Sequence, residues 1–424
     1  MSISAALARH AEAALGELLR FAGPADQTLS RYFRQHRELG HRDRAFIAEA
    51  SFAVLRRRRS LEAAAGSAQP WPLLTAALLR VLGYSGRALA AVAEQAVIER
   101  VRSACADAWP DAVRADLPDW LWRRLVTEQG HDEAVRIAQG LLNPAPLDLR
   151  VNLARASREE VLERLARDGI AAAATRYAPS GVRLAEKPAI NQHALFRDGL
   201  IEVQDEGSQL LAWLLAPRRG EMIADYCAGA GGKTLALAML MRGSGRIYAL
   251  DVSGQRLAAL GPRAARAQVN NIHVLAISGE GDARAKRLAG KLARVLVDAP
   301  CSGFGTLRRN PDLKWRHGAD AVSELAQKQR RILDAASRLV APGGRLLYAT
   351  CSILREENEA VADAFERTHA QFKPASCAAL LAAQRIALDT GERLRLWPHQ
   401  HQTDGFFAAA FERLSPSSDA DKNL

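Results

Sequence analysis

The sequence predicts a chain of mixed fold class, in which a doubly wound α/β domain follows an all-α segment and a small α+β segment. Three observations predict this. Residues 1–115 keep helical spacing almost throughout. Residues 116–200 give a strand, a helix and a strand. From about residue 201 to 414, short β-rich runs alternate with helical stretches. The last ten residues, 415–424, are polar and are expected to be disordered.

In the first segment, "RDRAFIAEASFAVLRRRRS" sets Phe46, Ile47, Ala50, Ala53 and Val54 on one helical face. This helix is expected to end in the run Arg56–Arg59. Cations suit a helix C-terminus, but four exceed what capping needs, so Arg57 and Arg58 suit either RNA phosphates or a solvated face. In the second segment Pro118 opens a helix after Asp116, and "NPAPLDLRVNLA" reads as a loop entering a strand. Ser157 and Glu160 form a capping box at the head of "SREEVLERLARDG", and Gly169 stops that helix. In the third segment the strands are "EMIADYC", "RIYALDV", "IHVLAI", "RVLVDAP" and "RLLYATC". A helix is expected over 320–340. The order of strands and helices predicts a mostly parallel sheet.

A net charge of +11 and a pI near 9.8 favour a polyanionic partner, with nucleic acid first and an anionic membrane surface second. An arginine-rich composition gives the same charge without such a partner. The five cysteines are odd in number and far apart, so no disulfide framework is expected. No pair has zinc spacing, and no metal is expected. No signal-peptide h-region or membrane-spanning run is present, and a cytoplasmic monomer is expected.

"ADYCAGAGGKT" follows the first strand of the third segment and opens a helix. A phosphate-binding P-loop needs a glycine where Cys227 stands, and a dinucleotide fingerprint needs one where Thr234 stands. There remains a glycine turn at a strand's carboxyl end, where backbone comes close to a ligand. Asp251 ends the next strand, where a carboxylate can accept from both ribose hydroxyls of an adenosine. S-adenosylmethionine carries no phosphate and fits such a loop.

"LVDAPCSGFG" puts Asp298 and Cys301 at the end of the fourth strand, and "LLYATCSI" puts Cys351 at the end of the fifth. Ligands of open parallel sheets bind at that edge, so both thiols face the glycine loop's crevice. A methyl donor beside a thiol suits carbon 5 of cytosine, a poor nucleophile until a thiolate adds to carbon 6. Asp298 is placed to hold the ring nitrogen, and the second thiol to assist proton removal or release.

With "DYCAGAGGKT", "DAPCSG" and "ATCS" in this order, plus "VQDEGSQL" and "HQTDGFFAAAF", residues 117–413 resemble the Nop/Sun (RsmB-like) family of RNA cytosine-5 methyltransferases. The resemblance implies a Rossmann-like methyltransferase domain after a small RNA-recognition-like one. It implies that Cys351 is the nucleophile and that Cys301 aids product release. It implies a cofactor site of Cys227, Ala228, Gly229, Ala230, Gly231, Gly232, Lys233, Asp251, Asp282 and Asp298. The family's Ala-Pro is replaced by Gly229-Ala230, from which a more mobile loop is expected. "LGHRDRAFIAEASFAVLRRRR" is similar to the NusB-like RNA-binding domain of bacterial members, which act on small-subunit ribosomal RNA. Arg308, Arg309, Lys314 and Trp315 in "TLRRNPDLKW" suit single-stranded RNA, although Trp315 equally suits packing of its own loop.

Four other readings compete. A transfer-RNA enzyme differs only in substrate. A non-catalytic RNA-binding assembly factor leaves the intact Cys301, Cys351 and Asp298 unexplained. A DNA cytosine methyltransferase would use Cys301 and leave Cys351 idle. An amine methyltransferase would usually carry Asn/Asp-Pro-Pro-Tyr where this chain has "DAPC". Cys105 and Cys377 have no motif around them and read as structural.

Overall fold

The computed structural model describes residues 3–415, so all but the first residue of the expected disordered tail lies outside the described residues. The chain forms two compact units. One comprises Met1–Pro144 and Thr306–Ala321; the other comprises Ala145–Gly305 and Val322–Leu424.

The first unit is helical. Helices Ala5–Leu18, His41–Arg56 and Pro70–Arg80 bury Leu15, Ile47, Val54, Leu55, Leu73, Leu74 and Leu78 in one core. The arginine run is not one helix end. The helix stops at Arg56, Arg57 leaves helical geometry at φ −121°, ψ 33°, and a new helix runs from Arg58 to Ala65. Arg58 and Arg59 thus open a helix, where the dipole disfavours cations, and side-chain contacts must hold them. Arg59 donates to the Leu117 carbonyl at 2.7 Å and pairs with Asp119 at 2.6 Å. Buried Asp116 accepts from the Ser60 amide (2.9 Å) and hydroxyl (2.7 Å). Helices Asp119–Gln129 and His131–Leu142 follow in the same compact unit, which runs on to Pro144.

The second unit holds two sheets. Strands β1 (Leu147–Val151), β2 (Ala172–Ala174), β3 (Gly181–Leu184) and β4 (Ile201–Val203) form an antiparallel sheet in the order β2-β3-β1-β4. Helix Arg158–Arg167 packs on it and carries the expected capping box of Ser157 and Glu160. The larger sheet contains β5 (Met222–Asp225), β6 (Arg246–Asp251), β7 (Ile272–Ala276), β8 (Leu292–Asp298) and β9 (Val340–Thr350), all parallel, in the order β9-β8-β5-β6-β7. The order reverses at β5, between β6 and β8. This is the switch point where open α/β sheets bind ligands.

Two features differ from expectation. The helix expected over 320–340 spans Ala319–Ser337, and Val340 instead opens β9, paired with Leu292. Apolar spacing continues across the junction, which hid the change of structure. β10 (Phe372–Ala375), β11 (Leu394–Leu396) and β12 (Phe406–Arg413) add an antiparallel edge, with β12 alongside β9. Phe406–Phe411 is buried on both faces and so shows no alternation to mark a strand. No helix among the described residues is long and apolar enough to cross a membrane.

Candidate active site

The glycine loop leaves β5 and turns at Gly231 (φ +84°) into helix Gly232–Leu240. A Cβ at Gly231 would overlap the buried Leu260 side chain, so the turn needs a glycine for both space and conformation. Hydrogen bonds hold the loop. The Gly229 amide donates to Asp251 Oδ2 at 2.8 Å, the Ala228 amide to the Leu250 carbonyl at 2.9 Å, and Arg263 to the Ala230 carbonyl at 2.5 Å. Arg150, on β1, donates to the Gly232 carbonyl at 2.7 Å, and burial pulls its pKa down to about 10. Gly229 is therefore held by Asp251, Ala230 by helix Leu260–Ala267, and Gly232 from the small sheet. Arg150 and Arg263 were missed in the sequence; the only sign of Arg150 was an arginine in an alternating strand.

Asp251 is buried, and its Oδ1 accepts from the Ser253 amide at 2.8 Å. Each of its oxygens retains a second lone pair for a ligand hydroxyl. Asp225, at the end of β5, accepts from Thr234 Oγ1 at 2.7 Å through Oδ2, while its buried Oδ1 has no partner. Burial pushes its pKa up to about 7, despite the Thr234 hydrogen bond. A buried acceptor without a donor beside a glycine turn fits a ligand that brings an ammonium or a hydroxyl. Asp282 caps helix Ala283–Lys286. It accepts from the Arg284 side chain and from the Ser278 and Arg284 amides, which hold its carboxyl far below the usual range. Its own loop thus takes up much of its hydrogen-bonding capacity.

Cys301 and Cys351 follow the adjacent strands β8 and β9, and their Sγ atoms stand 3.3 Å apart. The hydrogen bond to Cys351 and burial raise the Cys301 pKa well above the thiol range, and either sulfur can be the donor between them. Burial, reinforced by the Asp225, Asp298 and Asp251 charges, likewise raises the pKa of Cys227. Lys233 donates to Asp298 Oδ2 at 2.6 Å. Burial alone would lower its pKa, but Asp298, aided by the Cys351 charge, holds it above the usual range. This is the cation a nucleophilic thiol needs nearby.

A further residue escaped sequence reasoning. Glu357 is fully buried and accepts from the Ser302 amide (2.8 Å) and hydroxyl (2.5 Å), the Ser352 hydroxyl (2.5 Å) and Gln329 Nε2 (2.9 Å). Ser302 follows Cys301 and Ser352 follows Cys351, so one carboxylate clamps both thiol loops. Asn358 adds bonds to Thr350 Oγ1 and the Ser352 carbonyl. The only sign was an acidic pair in "REENEA", which reads as a solvated helix start. The Gly305 amide donates to the Cys351 carbonyl and the Gly405 amide to the Gly305 carbonyl, both at 2.8 Å. A Cβ on Gly305 would overlap the Gly405 carbonyl, so glycines are required where these backbones cross.

The other expected site residues lie in the first unit. Lys314 is 3% exposed, and its Nζ donates to the Arg56 carbonyl at 2.7 Å. Trp315 Nε1 donates to the Leu55 carbonyl at 2.7 Å. Both cap the open C-terminal carbonyls of helix His41–Arg56. Buried Arg308 donates to the Pro144 carbonyl at 3.1 Å, and Arg58 packs over the Phe21 and Trp315 rings. The expected RNA contact by Lys314 and Arg308 is therefore corrected: burial and backbone carbonyls occupy them. Trp315 docks on the end of helix His41–Arg56 rather than only within its own loop. Arg57 and Arg309 stay half-buried.

Residues 212–412 match the family model described as 16S rRNA methyltransferase RsmB/F, and residues 117–191 match the RsmF/B-like ferredoxin-like domain. Ribosomal RNA small subunit methyltransferase B of Sodalis glossinidius is 38% identical over 309 residues, covering 70% of this chain and 67% of that one. This chain belongs to the RsmB/F methyltransferase family. As such it uses S-adenosylmethionine. The crystal structure of PH0851 matches with a TM-score of 0.79 and 26% identity, over 97% of this chain and all of that one. That of NSun6 from Pyrococcus horikoshii with SFG shares the fold, with a TM-score of 0.60 and 21% identity over 70% of this chain and 99% of that one.

Proposed function

We propose that this chain methylates carbon 5 of a cytosine in 16S ribosomal RNA through a covalent adduct with Cys351. The observation that carries the reading is the pair of thiols 3.3 Å apart at the ends of β8 and β9. The Sodalis relative, named for the ribosomal small subunit, supports the substrate.

The 227–233 loop, Asp225, Asp251 and Asp282 would hold S-adenosylmethionine, which would supply an electrophilic methyl group when bound. The protein's own residues do the rest. The Cys351 thiolate adds to carbon 6 of the cytosine and makes carbon 5 nucleophilic. Asp298, oriented by Lys233, faces the ring nitrogen beside the exocyclic amine, and a proton delivered from solvent through this pair neutralises that nitrogen as sulfur adds. After methylation a water at the site takes the carbon 5 proton, the C–H bonding pair reforms the carbon 5–carbon 6 double bond, and the carbon 6–sulfur bond breaks with its pair leaving on the Cys351 sulfur. The neutral Cys301 thiol donates its hydrogen bond to the departing Cys351 thiolate and stabilises it as a leaving group. The helical and small α+β segments serve RNA binding, in a cytoplasmic monomer without a metal.

The test is transfer of labelled methyl to RNA from a methylation-deficient host by wild type, Cys351→Ala and Cys301→Ala. Both variants should lose roughly 10³-fold or more of the activity, with a protein–RNA adduct on denaturing gels in Cys301→Ala alone. An adduct in Cys351→Ala instead would reverse the roles. Methylation of transfer RNA but not 16S RNA would change the substrate. No transfer to any RNA or ribosomal particle by wild type, despite cofactor binding, would favour the assembly-factor reading.

A further inference from the structure

The first unit carries a second basic feature, separate in sequence from the arginine run. A groove of about 510 Å³ lies between helices Ala25–Gln35 and His41–Arg56. Its walls include Phe33, Arg34, Arg37, Arg44 and Phe52, with Asp26 at one side. Arg34 and Arg37 are exposed and Arg44 is half-buried. Arg34 donates to Ser30 Oγ at 3.1 Å, and Arg44 donates to the Leu39 carbonyl at 2.9 Å. Arg44 also lies over the Phe33 ring, 5.8 Å from its centroid. Among the described residues none of these three guanidinium groups pairs with a carboxylate. Elsewhere in this unit Arg59, Arg114 and Arg136 do so.

We infer that this groove is a binding site for single-stranded RNA, with phosphates on Arg34 and Arg37 and an unstacked base against Phe33 or Phe52. The inference rests on the proposed RNA substrate and adds a contact that the catalytic unit does not supply. Unpaired guanidinium forks match phosphate oxygens, and half-buried aromatic faces beside them accept a base of any identity. A duplex offers phosphates but keeps its bases stacked inside, so it would leave the phenylalanines unused. An acidic protein segment would likewise satisfy only the arginines.

The test is fluorescence anisotropy of the full chain with a labelled single-stranded RNA 20-mer of mixed sequence, at several KCl concentrations. Arg34→Glu/Arg37→Glu should weaken binding at least tenfold. It should also lower the slope of log affinity against log salt by about 1.4, two phosphate contacts at about 0.7 each. Arg87→Glu/Arg102→Glu makes the same charge change on exposed arginines of the same unit and should shift affinity less than threefold. Phe52→Ala should weaken binding with no change of slope. Equal losses in the two charge-reversal variants would overturn the inference, as would tighter binding of the same-sequence duplex or of polyglutamate. Methyl transfer is read in parallel. Wild-type transfer with RNA affinity unchanged in Arg34→Glu/Arg37→Glu removes the groove and keeps the enzyme. Groove-dependent binding without any transfer keeps the groove and removes the enzyme.

Discussion

Residues 298–305 and 306–316 are neighbours in the chain, and they differ in how their polar groups are used. In the first, Asp298 and Cys301 follow a parallel strand and meet Lys233 and Cys351 across backbone-fixed distances of 2.6 and 3.3 Å. In the second, Lys314 and Trp315 are spent on the carbonyls of a helix 258 to 260 positions away in sequence. Strand ends aim side chains by local geometry. A long cationic side chain on a loop goes wherever a carbonyl or a solvent face accepts it. Chemistry read from a strand end is therefore safer than chemistry read from a loop's charge.

The contrast can be broken first at Glu357. Glu357→Ala leaves Ser302, Ser352 and Gln329 without their buried acceptor and should cost about 3–5 kcal/mol, read as a fall in the denaturant midpoint. Glu357→Gln retains an acceptor oxygen and should fold. If Glu357 positions the thiols, this variant loses kcat while cofactor affinity stays within about twofold. Unchanged kcat would reduce the clamp to a packing feature.

Lys314 sharpens the other side. Burial holds its pKa down to about 7, against the raising effect of Asp116. The unfolded chain, with a pKa near about 10.4, binds more protons between these values, so this residue makes stability rise with pH through that window. The cost of charging Lys314 is complete below pH 7 and absent above about 10. Wild type should gain midpoint from pH 7 to 9 in urea unfolding of the full chain, and Lys314→Met should show a flatter profile. Equal slopes would mean that Lys314 is solvated.

The smallest effect is expected at Arg58. Its guanidinium packs on Phe21 and Trp315 at 5.3 and 5.5 Å, so Arg58→Ala should lower stability by about 1 kcal/mol. Its affinity for RNA should stay within twofold of wild type. A tenfold loss of RNA affinity with unchanged stability would restore the expected phosphate contact.

The succession of parallel strands along the chain, the glycine turn and the placing of both thiols at one sheet edge were legible, because each follows from periodicity and backbone hydrogen bonding over a few residues. So was the capping box at Ser157, which closes within four residues. The antiparallel edge β10–β12 was not legible, because β12 is buried on both faces and lacks alternation. Nor was the helix break at Arg57, where nothing in four identical residues marks a change of axis.

By itself the sequence determined which groups stand at the ends of β5, β6, β8 and β9, and hence that a glycine turn, carboxylates and two thiols share one sheet edge. Only the tertiary structure decided that Glu357 clamps both thiol loops, that Arg150 and Arg263 anchor the glycine loop, and that Lys314 and Arg308 are buried while Arg34 and Arg37 stay exposed. The physical reason is the range of the interaction. A strand or a turn satisfies its backbone with near neighbours, whereas a buried carboxylate or ammonium must find partners wherever the packed chain presents them.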